Sequence, residues 1–308
     1  MGRLSSELLR PRSIVVVGGS DNTAKPGGKV LENLIAGGFS GDLYVVNPRA
    51  ETVQGVPAYP EVAALPAVEL AILAIPAALC PKAVETLARE KGTRGFIILS
   101  AGFSEESEEG AALEQRIVAT VESVGGSLIG PNCIGVLNTH YSGVFTTPIP
   151  RLDPLGADFI SGSGATAVFI MESGMPKGLR FRSVYSVGNS AQIGVEEVLA
   201  HLDETYDPGT SSPIKLLYIE SIAKPRLFLK HARSLVAKGC RIAAIKAGAS
   251  EAGSRAASSH TGALAGSDAA VEALLAKAGV VRCRSRDELV AVASVFSYPP
   301  LPGGGWRW

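Results

Sequence analysis

The sequence predicts an α/β protein made of two consecutive parallel-sheet domains. Three observations carry this. Short apolar β-rich runs alternate with helical patterns along most of the 308 residues. The runs are apolar on both faces, as in sheets covered by helices on each side. The alternation breaks off at Pro148, Pro150 and Pro154 and then restarts. A chain of this length can bury a sizeable core and is long enough for two domains. Abundant glycine (35 residues) and only 6% aromatics suit close helix–strand approach.

In the first half, strands are expected at 13–17, 43–46, 70–75, 95–100 and 127–129. Helices are expected at 30–36, 82–90 and 110–124. This is the pattern of a Rossmann-like domain. In the second half, strands are expected at 157–161, 181–186, 214–219, 241–246 and 280–282. Their helices are expected at 165–172, 195–203, 225–238, 268–277 and 286–296. Five strands with interleaved helices make this half flavodoxin-like. The expected division is 1–148, 149–298 and a tail at 299–308. Pro299 to Gly305 has the composition of a linker, so the chain is expected to stop short of a further domain.

Lys plus Arg (29) balance Asp plus Glu (29), so no basic excess points to nucleic acid or to an anionic membrane surface. No apolar run reaches the roughly 18 residues of a membrane helix, and the N-terminus lacks a signal-peptide core. Cys80, Cys133, Cys240 and Cys283 are widely spaced without C-x-x-C. A reduced cytoplasm and four buried small hydrophobes are the natural reading.

After the first strand comes Gly18-Gly19-Ser20, continuing through Lys25 to Lys29 and opening a helix near Val30. Glycines let backbone approach a phosphate, and a helix N-terminus favours anions. The run is not G-x-G-x-x-G, and it serves equally as a tight βα turn. An NAD site would carry Asp or Glu at the end of the second strand. Here Asn47-Pro48-Arg49 stands instead, and a cation suits a phosphorylated ribose, as in coenzyme A or NADP. Further strand ends carry Pro76, Gly102 and the turn Gly130-Pro131-Asn132-Cys133. They leave room for a long ligand, or act as plain turn chemistry.

In the second half, Ser161-Gly162-Ser163-Gly164-Ala165-Thr166 starts a helix and offers hydroxyls and N–H groups to an anion, or a simple serine cap. Glu220 ends a buried strand. The richest stretch is KAGASEAGSRAASSHTGALAGSDAA at 246–270. His260 lies there among small residues, with Lys246 and Arg255 upstream. An uncovered imidazole beside hydroxyls suits phosphoryl uptake. A hydrogen bond to Glu220 from one ring nitrogen would fix the tautomer and leave the other nucleophilic. The unperturbed pKa of about 6.5 keeps an adequate neutral fraction. His140, His201 and His231 stand apart, and no H-x-x-x-H or H-E-x-x-H spacing appears, so no metal is expected.

Together these pieces resemble the NDP-forming (ADP-forming) acyl-CoA synthetases, relatives of the succinyl-CoA synthetase α subunit. The carriers are VVGGSDNTAKPGGKV, YVVNPRAETVQGVPAYP, AIPA, IILSAGFSE, LIGPNCIGVLN, FISGSGATA, SVGNSAQIGVEEVLAHL, LLYIESI and RAASSHTGALAGSDAA. The resemblance runs from Ile14 to about Phe296. It implies a CoA-binding domain followed by a succinyl-CoA-ligase-like domain, with His260 as the phosphorylated residue and Glu220 as its partner. Ser161, Ser163, Gly164 and Ala165 match the helix start that holds the phosphoryl group. Ser20, Lys25, Arg49 and Pro76, with Gly18 in the same loop, fall where relatives contact CoA. Asn132 falls near the thioester. Gly162 stands where many relatives have Gln, and Arg49 where many have Lys.

The implied reaction is acyl-CoA + ADP + phosphate to carboxylic acid + ATP + CoA. ADP or ATP with Mg would sit on an ATP-grasp module, in a β-type subunit or a downstream domain, that this sequence lacks. An oligomer is expected. Two other readings stay open on the residues alone: a non-catalytic CoA-binding regulatory module, and an NADP-dependent dehydrogenase.

Overall fold

A computed structural model describes residues 4–248 and 268–297. The first domain begins with a short helix, α1 (Ser6–Leu9). It continues through β1 (Ser13–Val17), α2 (Pro26–Ala36), β2 (Asp42–Val46), β3 (Thr52–Val53), β4 (Val56–Tyr59) and β5 (Leu70–Leu73). Then come α3 (Cys80–Glu90), β6 (Gly95–Ile98), α4 (Glu108–Ser123) and β7 (Ser127–Ile129). The strands run in the order β3-β4-β2-β1-β5-β6-β7. All pairs are parallel except β3 with β4. Setting β3 aside, this is the 3-2-1-4-5-6 order of a Rossmann-like sheet, whose switch point lies between β1 and β5.

The second sheet is built from β8 (Gly135–Leu137), β9 (Ser142–Val144), β10 (Leu152–Ser161), α5 (Gly164–Gly174), β11 (Phe181–Ser186), α6 (Val195–Glu204) and β12 (Ile214–Ile219). It closes with α7 (Pro225–Ala237), β13 (Arg241–Lys246), α8 (Asp268–Ala278), β14 (Val281–Cys283) and α9 (Arg286–Ser297). Its order is β14-β13-β12-β10-β11-β8-β9. The parallel part, β10 to β14, follows the flavodoxin-like order 2-1-3-4-5, and its switch point lies between β10 and β12.

The expected strands 13–17, 127–129, 181–186, 214–219 and 241–246 appear with those bounds. The first long helix starts four residues earlier than expected. Pro26 takes its first position, where a missing N–H costs nothing, and Gly27 and Gly28 follow inside the helix. Gly27 tolerates no side chain, because a Cβ there would lie 2.1 Å from the Gly18 carbonyl. The hairpin β8–β9, not expected from the sequence, precedes Pro148 yet pairs with β11 of the second sheet.

The two sheets therefore share polypeptide and core. One hydrophobic cluster runs from Val16, Ile72 and Ile129 through Val136 and Tyr141 to Ile160, Tyr185 and Leu217. Buried polar groups pin the junction. Asn33 on α2 donates to the carbonyls of Val144 (2.6 Å) and Thr146 (3.0 Å). Gln192 accepts from Leu128 N–H at 2.7 Å and donates to the Gly126 carbonyl at 3.3 Å, acting as a one-residue strand along the edge of β7.

All four cysteines are free and buried, as expected. His231 is a satisfied core residue, its Nδ1 2.8 Å from Asp203, and His140 is exposed. Among the described residues no helix is long and apolar enough to cross a membrane.

Candidate functional site

The carboxyl ends of β1, β2 and β5 bring five of the sequence candidates to one edge of the first sheet. Gly18 leaves β1 at φ +87, and a Cβ there would lie 2.6 Å from the Ala74 carbonyl at the end of β5. Only glycine fits this left-handed, crowded position, which leaves bare backbone at the switch point. Ser20 accepts from Asn22 N–H at 3.1 Å and so shapes the turn. Lys25 caps α2 through its backbone and is exposed. Pro76 caps the short helix Ala77–Leu79 after β5.

Arg49 is exposed beyond β2, its N–H held by Asn47 at 2.9 Å, while the Asn47 amide reaches back to the Gly19 carbonyl at 2.9 Å. Gln54 completes the frame and was not singled out from the sequence. Its amide donates to the carbonyls of Ser20 and Gly28, both at 2.8 Å. The result is a rigid glycine-floored rim with cationic side chains around it, a fit for a phosphorylated ribose and pyrophosphate.

The second group assembles at the other switch point. A cavity of about 270 Å³ lies where the domains meet. Asn132 and Cys133 form one wall, Gly162 to Ala165 another, and Glu220 a third, with Gly188 and Asn189 closing the gap. A smaller space of about 100 Å³ adjoins it along Ser104, Ser190 and Ser221. Ser163 is the N-cap of α5 and accepts from Thr166 N–H at 3.3 Å. The first-turn N–H groups of Gly164 and Ala165 follow on the cavity wall, at the positive end of the helix. Ser161 is fully buried. Its hydroxyl donates to the Ser163 carbonyl at 2.7 Å and accepts from Ser163 N–H at 3.2 Å, so it shapes the loop from beneath.

Glu220 leaves β12 beside β10, where Gly162 N–H donates to the Tyr218 carbonyl at 2.9 Å. A Cβ at Gly162 would meet Glu220 Cγ at 3.3 Å, so the glycine allows this close packing. Asn132 adopts φ +56, and its N–H donates to the Ser100 carbonyl at 2.9 Å. Cys133 touches the cavity, but burial pushes its thiol up to about 12. It is a thiol at neutral pH, which removes it as a nucleophile.

Lys246, at the end of β13, is buried, with its ammonium 2.6 Å from the Ala247 carbonyl. Burial draws its pKa down while the charges of Asp268 and Glu220 draw it up, and it settles below the ordinary lysine value. Those interactions put Lys246, Glu220 and Asp268 in one electrostatic neighbourhood. His260 and Arg255 lie outside the described residues.

Comparison with known proteins gives this arrangement its class. Residues 12–139 match a family described as a CoA binding domain, and residues 155–296 match one described as a succinyl-CoA ligase like flavodoxin domain. The chain is 38% identical to an ADP-forming acetate–CoA ligase I of Archaeoglobus fulgidus over 92% of its own length and 40% of the relative's. It is also 38% identical to the α subunit of ADP-forming acetate–CoA ligase II of Pyrococcus furiosus, over 96% of its own length and 63% of that subunit's.

The solved structure of the dinucleotide forming acetyl-coenzyme A synthetase 1 of Ca. Korarchaeum cryptofilum, in complex with phosphate and ADP, superposes with a TM-score of 0.87. The identity is 31%, covering 97% of this chain and 63% of that one. The fold is thus a CoA-binding domain joined to a succinyl-CoA-ligase-like domain. The two domains belong to the CoA-binding and succinyl-CoA-ligase-like families, and the chain corresponds to the α-subunit-type region of the ADP-forming acyl-CoA synthetases it resembles. It spans between two fifths and two thirds of the length of these relatives.

Proposed function

We propose that this chain is the CoA-binding, phosphohistidine-bearing part of an NDP-forming acid–CoA ligase. The observation that carries the reading is the convergence of Asn132, the Gly162–Ala165 helix start and Glu220 on one cavity between the two domains. Neither sheet forms that cavity alone. The CoA nucleotide would lie along the rim formed by Gly18, Ser20, Lys25, Arg49 and Pro76. Its pantetheine arm would run toward Asn132.

The chemistry then divides into two steps. A phosphate oxygen attacks the thioester carbon, the C–S bond breaks, and CoA leaves as thiolate while an acyl phosphate forms. A ring nitrogen of His260 attacks the phosphorus next, the P–O bond breaks, and the acid leaves as its carboxylate. The N–H groups of Gly164 and Ala165 are suited to the phosphoryl oxygens throughout. Glu220 orients the imidazole and offsets its positive charge. Lys246, buried beside Glu220, balances that carboxylate.

The phosphoryl group would pass to a nucleoside diphosphate, with Mg, on an ATP-grasp module. Relatives described as α subunits support a β-type partner or a downstream domain for that role. Net turnover needs that module, and where it is a separate β-type subunit the two chains form an oligomer.

The CoA half of the reading has a direct test. Arg49→Ala is expected to weaken CoA binding about tenfold in titration calorimetry, the value of one charge-assisted contact. Its melting temperature should match the wild type, because Arg49 is exposed. Unchanged CoA affinity would remove Arg49 from the site.

A further inference from the structure

Asn189 carries no assigned role, yet its side chain is heavily bonded at the cavity. Its amide nitrogen faces three oxygens of the first domain: the carboxylate of Glu105, the carboxylate of Glu114 at 3.1 Å and the hydroxyl of Ser104 at 3.2 Å. Its amide oxygen accepts from the Asn132 amide at 3.3 Å. Its backbone N–H donates to the Pro131 carbonyl at 3.0 Å. Glu105 is itself fixed, accepting from Gly102 N–H at 2.7 Å and Phe103 N–H at 3.3 Å. Burial raises the Glu105 pKa, but hydrogen bonds from Asn189 and these backbone groups outweigh it and leave a firm carboxylate. Two carboxylates on one side accept only N–H, so the amide of Asn189 has a single orientation, and its oxygen must face Asn132.

We propose that Asn189 is a positioning residue that uses Glu105 and Glu114 of the first domain to fix the amide orientation of Asn132 at the cavity. Asn132 then presents its own oxygen and second N–H in a set direction toward the reacting centre. This rests on the proposed reading of the cavity as the thioester and phosphate site. It goes beyond that reading in making the site's polarity depend on a chain of side chains crossing the domain junction.

The test uses the full chain with radiolabelled inorganic phosphate and the acyl-CoA thioester that labels the wild type best. Asn189→Ala is expected to lower the single-turnover labelling rate at saturating thioester by tenfold or more, with CoA affinity within twofold. A loosened wall alone would weaken CoA binding and leave the saturated rate unchanged, which would overturn the proposal.

Asn189→Asp should be worse, since it sets a third carboxylate against two. Adding Glu105→Gln should recover most of the rate, because the glutamine can donate to the introduced carboxylate while still accepting from Gly102. Absence of that rescue counts against the proposal. Should the wild type take no label from any thioester, the functional reading falls. The side-chain amide resonance of Asn132 then decides the inference separately. It should move in Asn189→Ala and return in the double variant Asn189→Asp with Glu105→Gln. A resonance that stays put in Asn189→Ala refutes the orienting role.

Discussion

Lys215→Met is expected to destabilise the protein by about 3–5 kcal/mol, the usual cost of leaving one partner of a buried pair uncompensated. Lys215 and Asp158 are 1% and 2% exposed, and the ammonium lies 2.6 Å from the carboxylate. The pair sits inside the second sheet. Asp158 on β10 is in register with Ser183 on β11 and Lys215 on β12. Ser183 donates to one carboxylate oxygen at 2.6 Å and Lys215 to the other. Lys215 also donates to the Ser212 carbonyl at 2.6 Å.

Methionine replaces the stem of Lys215 but leaves the buried Asp158 side chain without its cation, with the Ser183 hydroxyl as its remaining hydrogen-bond donor. Urea unfolding near neutral pH reads the loss directly. The double variant with Asp158→Leu should recover most of it, since no buried charge then remains. A loss under about 1 kcal/mol would mean that water reaches the pair as it reaches surface ion pairs.

Gly188→Ala is the second large effect, expected to cost about 2–5 kcal/mol through left-handed strain and overpacking together. Gly188 adopts φ +53, and a Cβ there would lie 2.1 Å from the Pro131 carbonyl and 2.6 Å from that of Asn132. Both contacts are backbone, so neither can rotate away. Relief must come from parting the loop after β11 from the turn after β7, which widens the cavity. The variant should therefore lose thermal stability and labelling rate together. An alanine variant that melts with the wild type would show that the two loops separate at little cost.

These effects bear on what the sequence could convey. The strand cores were legible because a run of apolar residues, such as the four that follow Ser13 in β1, reports burial on both faces without further context. Glu220 and Ser163 were legible as ends of elements, and parallel sheets place their ligands at strand ends. The hairpin of β8 and β9 was not, since two three-residue strands containing Gly135 and Gly143 give no periodicity. The start of α2 hid behind Pro26-Gly27-Gly28, which reads as a loop until its packing on Gly18 is known.

Asn189 was hidden for a different reason. It stands in the run SVGNSAQIGVEEVLAHL, but its meaning lies in Glu105, 84 positions away. Local chemistry announces a glycine turn or a capped helix, whereas an orienting amide is defined only by what faces it. Gln54 and Gln192 belong to the same class, each replacing a missing backbone partner across a gap that the sequence does not display. The roles proposed for His260 and Glu220 rest on the resemblance, since spacing alone left them open.

The central claim is that one cavity, shared by two domains, converts a thioester and phosphate into a phosphohistidine. The most direct measurement incubates the chain with radiolabelled phosphate and a panel of acyl-CoA thioesters, then tests the bound label for acid and base stability. The account predicts an acid-labile, base-stable label on the wild type that disappears in His260→Ala while CoA binding persists. A chain that binds CoA yet takes no such label from any thioester, or a label that survives in His260→Ala, would contradict it.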